Sequence, residues 1–326
     1  MNPRAREELV FPPDSSGALA YLATIEPVPG RFALPSPEDA RDWLSRMHVV
    51  EDAVDDVVAG LPSRAADPDA WALLERLFHV LLTERQNSAT LFWPWPRPGQ
   101  DPFSRFFQLY VFLAAVPYVR ALNAQRGVPE DVWWAALADV GIAVEGHRSR
   151  YGRPGFHNAF WLRPHFRGEV YRLGRLLFTV DHVRFDPGPG APCRLDDPAV
   201  GVHIPASNDA FSPEACDDAL AQAGTFFVRH FADRGPFRVA TCCSWLLDPQ
   251  LADHLPETSN IVRFQRRFTV APTWSLPADD DVVRYVFGYR PDSLDALPRS
   301  TTLQRAVVKH LESGGHWRIR SGWLEL

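Results

Sequence analysis

The hydrophobic period changes partway along the chain, and that change limits the possible folds more than any single motif does. Up to about residue 150, apolar residues return every three or four positions. Ala40, Trp43, Leu44 and Met47 form one such set, Trp71, Leu74, Leu77, Phe78 and Leu81 a second, and Phe106, Phe107, Tyr110, Val111 and Ala114 a third. That spacing lines one face of a helix. Ser36-Pro37-Glu38-Asp39, Asp67-Pro68, Asp101-Pro102 and Pro129-Glu130-Asp131 each read as a helix start, with a capping side chain, a first-turn proline or first-turn acids. Four helices follow, the third kinked or interrupted at Pro117. From about residue 168 the texture alternates. Tyr171–Val183, Val200–Ile204, Phe237–Leu247, Val282–Gly288 and His316–Leu326 read as strands. Ser212–Phe231, the stretch after Asp248-Pro249, a segment opened by Thr258, Ser259 or Asn260, and Ser300–Leu311 read as helices. The class is α/β (α+β): a helical N-terminal domain, then a mixed sheet with flanking helices.

A chain of 326 residues favours two domains over one core. Residues 1–35, broken by Pro12-Pro13, Pro27, Pro29 and Pro35, read as an extended arm; 36–155 form the helical domain and 156–326 the sheet domain. The cationic, turn-rich run His147–Gly155 marks the join, and the aromatic loop Phe92-Trp93-Pro94-Trp95-Pro96 is expected to pack against the second domain. A net charge of -6 gives no general attraction to nucleic acid or an anionic membrane. No uninterrupted apolar run spans a bilayer, and the N-terminus lacks the apolar stretch of a signal peptide, so a cytoplasmic protein is expected. The four cysteines show no CxxC and read as reduced thiols, and no His/Cys spacing argues for a metal.

The richest stretch for chemistry runs from Phe237 to Phe268. Its strand carries Cys242 and Ser244 toward a helix start, with Asn260 following, all among large apolar residues such as Trp245. Cys242 could be a nucleophile if a base lowered its pKa, or a small core residue. Cys243 alternates with it and is expected to face the core on the other side. Ser244 could donate to a leaving group or to the core. Asn260 and Trp245 are candidates for substrate contact, against a helix cap and simple packing. Asp248 reads as a cap. His203 ends a strand just before Pro205, where an imidazole with an ordinary pKa of about 6.5 suits general-base work; the alternative is a buried, hydrogen-bonded histidine.

Cys242-x-Ser244-Trp245-Leu246-Leu247-Asp248-Pro249, Leu251, Leu255-Pro256 and Ser259-Asn260-Ile261 resemble a family of bacterial acyltransferase-like proteins. Members pair a helical N-acyltransferase N-terminal domain with a GNAT-like C-terminal domain. Tyr171–Phe178, Val202-His203-Ile204-Pro205 and Ser212–Cys216 agree. The resemblance implies an acyltransferase that moves an acyl group from a thioester, acyl-CoA or a carrier-protein arm, to a small-molecule amine or hydroxyl. It also implies that Val200–Ile204 and Arg238–Trp245 are parallel neighbours that splay apart beside a helix N-terminus that receives the donor's pyrophosphate. Ser207, Asn208 and Ser212 are then the cofactor-binding candidates. The segment from Ala206 to Ser212 lacks the glycines usual in such loops. That departure favours a second reading, a GNAT-like binding protein without catalysis; a third, a thioester hydrolase using Cys242 or Ser244 with His203, lacks a Gly-x-Ser-x-Gly elbow. The arginine clusters Arg148/Arg150/Arg153 and Arg263/Arg266/Arg267 are either solvated faces or phosphate contacts.

Overall fold

The computed structural model describes residues 9–83, 93–94, 96–97, 99–156, 159–205, 211–288 and 293–326. The chain divides into two compact units, Met1–Tyr171 and Arg172–Leu326.

The first unit is helical: α1 (Ser16–Ala23), α2 (Pro37–Arg46), α3 (Glu51–Ala59), α4 (Pro68–Thr83), α5 (Pro102–Arg126), α6 (Glu130–Leu137), α7 (Asp139–Tyr151) and α8 (Ala159–Leu162). Ser36 caps α2 by accepting the Asp39 backbone N–H, with Pro37 at the first position. The arm thus holds a short helix, α1, between its prolines. The segment after Ser36 forms two helices, because His48 turns the chain with φ 58°. Pro117 sits inside an unbroken 25-residue α5, whose apolar residues are buried almost all round. Among the described residues α5 alone is long and apolar enough to cross a membrane, and 72% of its apolar window is buried inside the fold. Tyr110 donates to the Val57 carbonyl, and Phe112 stacks on Trp93 and Phe166. Of the aromatic loop, Trp93 is therefore a core ring of this unit; Phe92 and Trp95 lie outside the described residues. The run His147–Gly155 is not a linker throughout: α7 continues to Tyr151 and ends at Gly152 with φ 71°, the left-handed cap that glycine adopts without strain.

The second unit is built on six strands, β1 (Val170–Leu173), β2 (Leu176–His182), β3 (Pro198–His203), β4 (Val239–Ser244), β5 (Thr269–Pro277) and β6 (Arg318–Glu325), in the order β1-β2-β3-β4-β6-β5. β3 and β4 run parallel; β2–β3, β4–β6 and β5–β6 run antiparallel. The crossover between the parallel strands β3 and β4 carries α9 (Pro213–His230), since parallel neighbours need a long connection. α10 (Leu251–His254), α11 (Asn260–Gln265), α12 (Asp279–Phe287) and α13 (Thr302–Glu312) complete the unit. Trp245, Leu246, Leu251, Leu255 and Val262 pack with Val282, Ala306, Val307 and Trp317 in one cluster.

Three expectations change here. Tyr171–Val183 is a hairpin, turned at Gly174 with φ 57°. Val282–Gly288 is not a strand but the body of α12: three aspartates fill its first turn and Gly288 (φ 77°) caps its end, both signals of a helix. The strand not expected is β5, which carries Pro272 and Pro277; β5 is the edge of the sheet, where proline is tolerated.

Candidate active site

β3 and β4 pair at only two positions, Val200 with Ala240 and Gly201 with Thr241. Both strands run on, to His203 and to Ser244, still paired to β2 and β6 but no longer to each other. A parallel pair that stops pairing while its strands continue leaves unpaired backbone groups facing a gap, a place for a ligand to hydrogen-bond.

The register decides which side chains face which way, since partners in a ladder share a face and neighbours alternate. Gly201 pairs Thr179 in β2 and Thr241 in β4, and Cys243 pairs Ser321 in β6. Thr179, Asp181, Gly201, His203, Thr241, Cys243 and Ser321 therefore share one face. His203 is half-buried, with Nε2 3.2 Å from Thr179 Oγ1.

Cys242 lies on the opposite face, 2% exposed, and burial pushes its thiol far up. The expected parity is thus reversed: Cys242 is core and Cys243 is the exposed thiol. Desolvation, and then the Asp181 carboxylate, push the Cys243 thiol up as well, against a hydrogen bond with Ser321. Neither cysteine is a ready thiolate.

Ser244 accepts the Leu246 N–H at 3.1 Å and caps the 3-10 turn Trp245–Leu247. Trp245 is buried in the cluster beneath α12 and α13. Ser259, not Asn260, occupies the cap position of α11; Asn260 is its exposed first residue. Asp248 is the buried anchor of its turn, accepting from the backbone N–H groups of Gln250 and Arg318. Of the expected residues that are described, then, only His203 stands on the Thr179–Gly201 face.

Ser207 and Asn208 lie outside the described residues. Ser212 caps α9, accepting the Ala215 N–H at 3.2 Å. Glu214 is held below the usual carboxylate range by its own backbone N–H and by the Ser212 hydroxyl, so the helix start already carries an anion of its own. Arginines gather around it. Arg175 donates to the Pro205 carbonyl and stacks on Phe211. Arg267 donates to the Pro213 carbonyl and pairs with Asp217 at 2.7 Å. Of the other expected arginines, Arg266 pairs with Glu257 and, within the first unit, Arg148 pairs with Asp52. Among the described residues, no three His, Cys, Asp or Glu side chains group to hold a metal ion.

Sequence reading missed Thr179, Asp181, Gly201 and Cys243. A signal was present: Thr179 and Asp181 alternate within a strand that otherwise buries Leu176, Leu177 and Phe178.

A helical first unit followed by a mixed sheet whose central parallel strands part is a GNAT-like architecture. Residues 38–168 match the N-acyltransferase N-terminal domain and residues 170–324 the GNAT-like C-terminal domain. The chain belongs to the acyltransferase family built from these two domains. It is 36% identical to an acyltransferase crystallised with decanoyl-CoA and teicoplanin, over 97% of this chain and 96% of that one, with a TM-score of 0.85. The same values relate it to an acyltransferase with CoA and 10C-teicoplanin, and to a mutant acyltransferase with octanoyl-CoA. No curated protein matches the chain. The protein is an enzyme, which sets aside the reading of a GNAT-like scaffold without catalysis.

Proposed function

We propose that the protein transfers a medium-length acyl chain from acyl-CoA to an amine or hydroxyl of a small molecule, by direct attack, with His203 as general base. The observation that carries this reading is the early end of the β3–β4 ladder, with His203 at the end of β3. The acyl-CoA complexes of the relatives support the donor, and their teicoplanin makes a bulky natural product the first acceptor to try. Arg175, Arg263 and Arg267 near the start of α9 favour a phosphate-bearing donor there in spite of the missing glycines.

In this reaction the acceptor nitrogen or oxygen attacks the thioester carbonyl. Its bond to that carbon forms as the C–S bond breaks. The coenzyme thiolate leaves, and the acceptor's proton passes to His203. No acyl-enzyme forms, because the Cys242 thiol is buried and held protonated. The enzyme works in the cytoplasm, where acyl-CoA is abundant.

The test is kinetic. His203→Ala should cost about 10²–10⁴-fold in turnover while leaving acyl-CoA binding, read as a thermal shift, nearly intact. Cys242→Ala should keep most of the activity, and intact mass after donor alone should show no adduct. A fully active His203→Ala, or an acyl group on Cys242, would reject the mechanism.

A further inference from the structure

Gly201 faces Thr179 across the β2–β3 ladder. A Cβ at Gly201 would collide with Thr179 Oγ1, and would lie 3.4 Å from His203 Nε2 and 3.5 Å from Asp181 Oδ2. Three polar atoms from two strands thus converge on the space that a side chain would fill, with His203 Nε2 and Asp181 Oδ2 no more than about 7 Å apart. Thr179 Oγ1 is within hydrogen-bond distance of the imidazole. Asp181 Oδ1 accepts from Arg184 Nε at 2.9 Å and from the His182 backbone N–H at 2.8 Å, which fixes the carboxylate and leaves Oδ2 as the atom toward Gly201.

Thr179 and Asp181 are half-buried on the face that carries the candidate base, and each is held there by hydrogen bonds, Thr179 with His203 and Asp181 with Arg184 and the His182 N–H. A base that swings freely loses most of its advantage, because proton transfer needs the acceptor within hydrogen-bond reach. A negative charge nearby also favours the imidazolium that forms when the proton arrives.

We infer that Thr179 and Asp181 are positioning residues for His203: the Thr179 hydroxyl holds the ring through Nε2, Asp181 stabilises the imidazolium, and Gly201 supplies the clearance in which all three meet. The inference rests on His203 being the base. Other charged or titratable groups near the face are Arg184, paired to Asp181; Cys243 on β4; and Arg175, which holds the Pro205 carbonyl two residues after His203; Arg320 pairs Ser244 and stands on the opposite face. Arg184 is two-thirds exposed, so it screens Asp181 only in part.

The experiment compares Thr179→Val, Thr179→Ser and Asp181→Asn with His203→Ala and the parent enzyme. It reads kcat and KM against pH, and the imidazole titration of His203 by NMR, its signal assigned by loss in His203→Ala. Melting temperatures confirm that each variant is folded. Thr179→Val is expected to lower kcat about 10- to 100-fold with little change in the KM for acyl-CoA, and Thr179→Ser to recover most of it. Asp181→Asn should lower the His203 pKa by roughly half a unit to one unit, and move the acid limb of kcat with it. A folded Thr179→Val with the parent's kcat, beside a crippled His203→Ala, overturns the role of Thr179 while the base survives. An unshifted NMR titration in Asp181→Asn overturns the role of Asp181, whatever the rates. A fully active His203→Ala removes the base, and with it the reason for both.

Discussion

Cys242 and Cys243 sit on opposite faces of β4, and the ladder alone sets their difference. Thr241 shares a face with Gly201, so Cys243 shares it too and Cys242 cannot. This parity lets the thiols report on the site without reference to catalysis. A small alkylating reagent at pH 8 is expected to modify Cys243 first and to leave Cys193, Cys216 and Cys242 unmodified until the protein unfolds, because those three are buried. Labelling at Cys243 should be slower than at an ordinary surface cysteine, since desolvation and Asp181 hold its thiol up. Peptide mapping after timed labelling is the check, and modification of Cys242 in the native state would contradict the register. The sequence offered the two cysteines as a pair but not their orientation. That orientation depends on a parallel register between strands about forty residues apart, which alternation within one strand does not encode. The place of His203 at a strand end was legible because Pro205 follows two residues on; the side chains that share its face were not, because they belong to other strands.

The β2–β3 ladder depends at the element scale on a small residue where the two strands come close. At Gly201 a methyl group meets the short Thr179 side chain rather than a flexible tip. Gly201→Ala is therefore expected to destabilise the sheet unit by about 1–3 kcal/mol, as overpacking does. Gly224, inside α9, has nothing within 4 Å of an added Cβ, so Gly224→Ala should stabilise by up to about 1 kcal/mol. Urea unfolding of the two variants would show midpoints moving in opposite directions; a lower midpoint for Gly224→Ala, or none for Gly201→Ala, would refute the packing argument. Elements with strong local signals were legible, as with α2, α9 and α13, each with a side-chain cap that accepts a backbone N–H. Elements whose identity is set by position in the sheet were not. β5 carries two prolines that only an edge tolerates. The valines of α12 suited a strand as well as a helix, and the three aspartates before them were the better evidence.

Across the whole molecule, each unit holds a histidine whose pKa desolvation lowers. In the helical unit His147 is fully buried, with Nδ1 3.0 Å from the Arg153 carbonyl. Desolvation, and then Arg105, Arg153 and Arg150, hold its pKa below the ordinary value, against the pull of that carbonyl. In the sheet unit His254 Nε2 lies 3.0 Å from His310 Nδ1, and the His310 ring packs 4.2 Å from that of Trp317. Burial, His310 and Lys309 depress His254, and Asp253 opposes them. A histidine with a depressed folded pKa is protonated first in the unfolded chain as pH falls. Its stability contribution is therefore complete above about pH 6.5, the unfolded value, and is lost from there down through the folded pKa. Each histidine adds a slope of at most about 1.4 kcal/mol per pH unit in that window. Asp52, held low chiefly by its hydrogen bond to Arg148, and Glu214, held low by its own backbone N–H, act below about pH 4–5 and do not blur it. Unfolding midpoints are thus expected to fall between pH 7.5 and 5.5, and His147→Gln and His254→Gln should each flatten that fall. If the two units unfold in separate steps, His147→Gln should change only the step of the helical unit and His254→Gln only that of the sheet unit. A midpoint that holds steady to pH 5.5, or a slope that neither variant alters, would show that these imidazoles are not the groups through which acid acts.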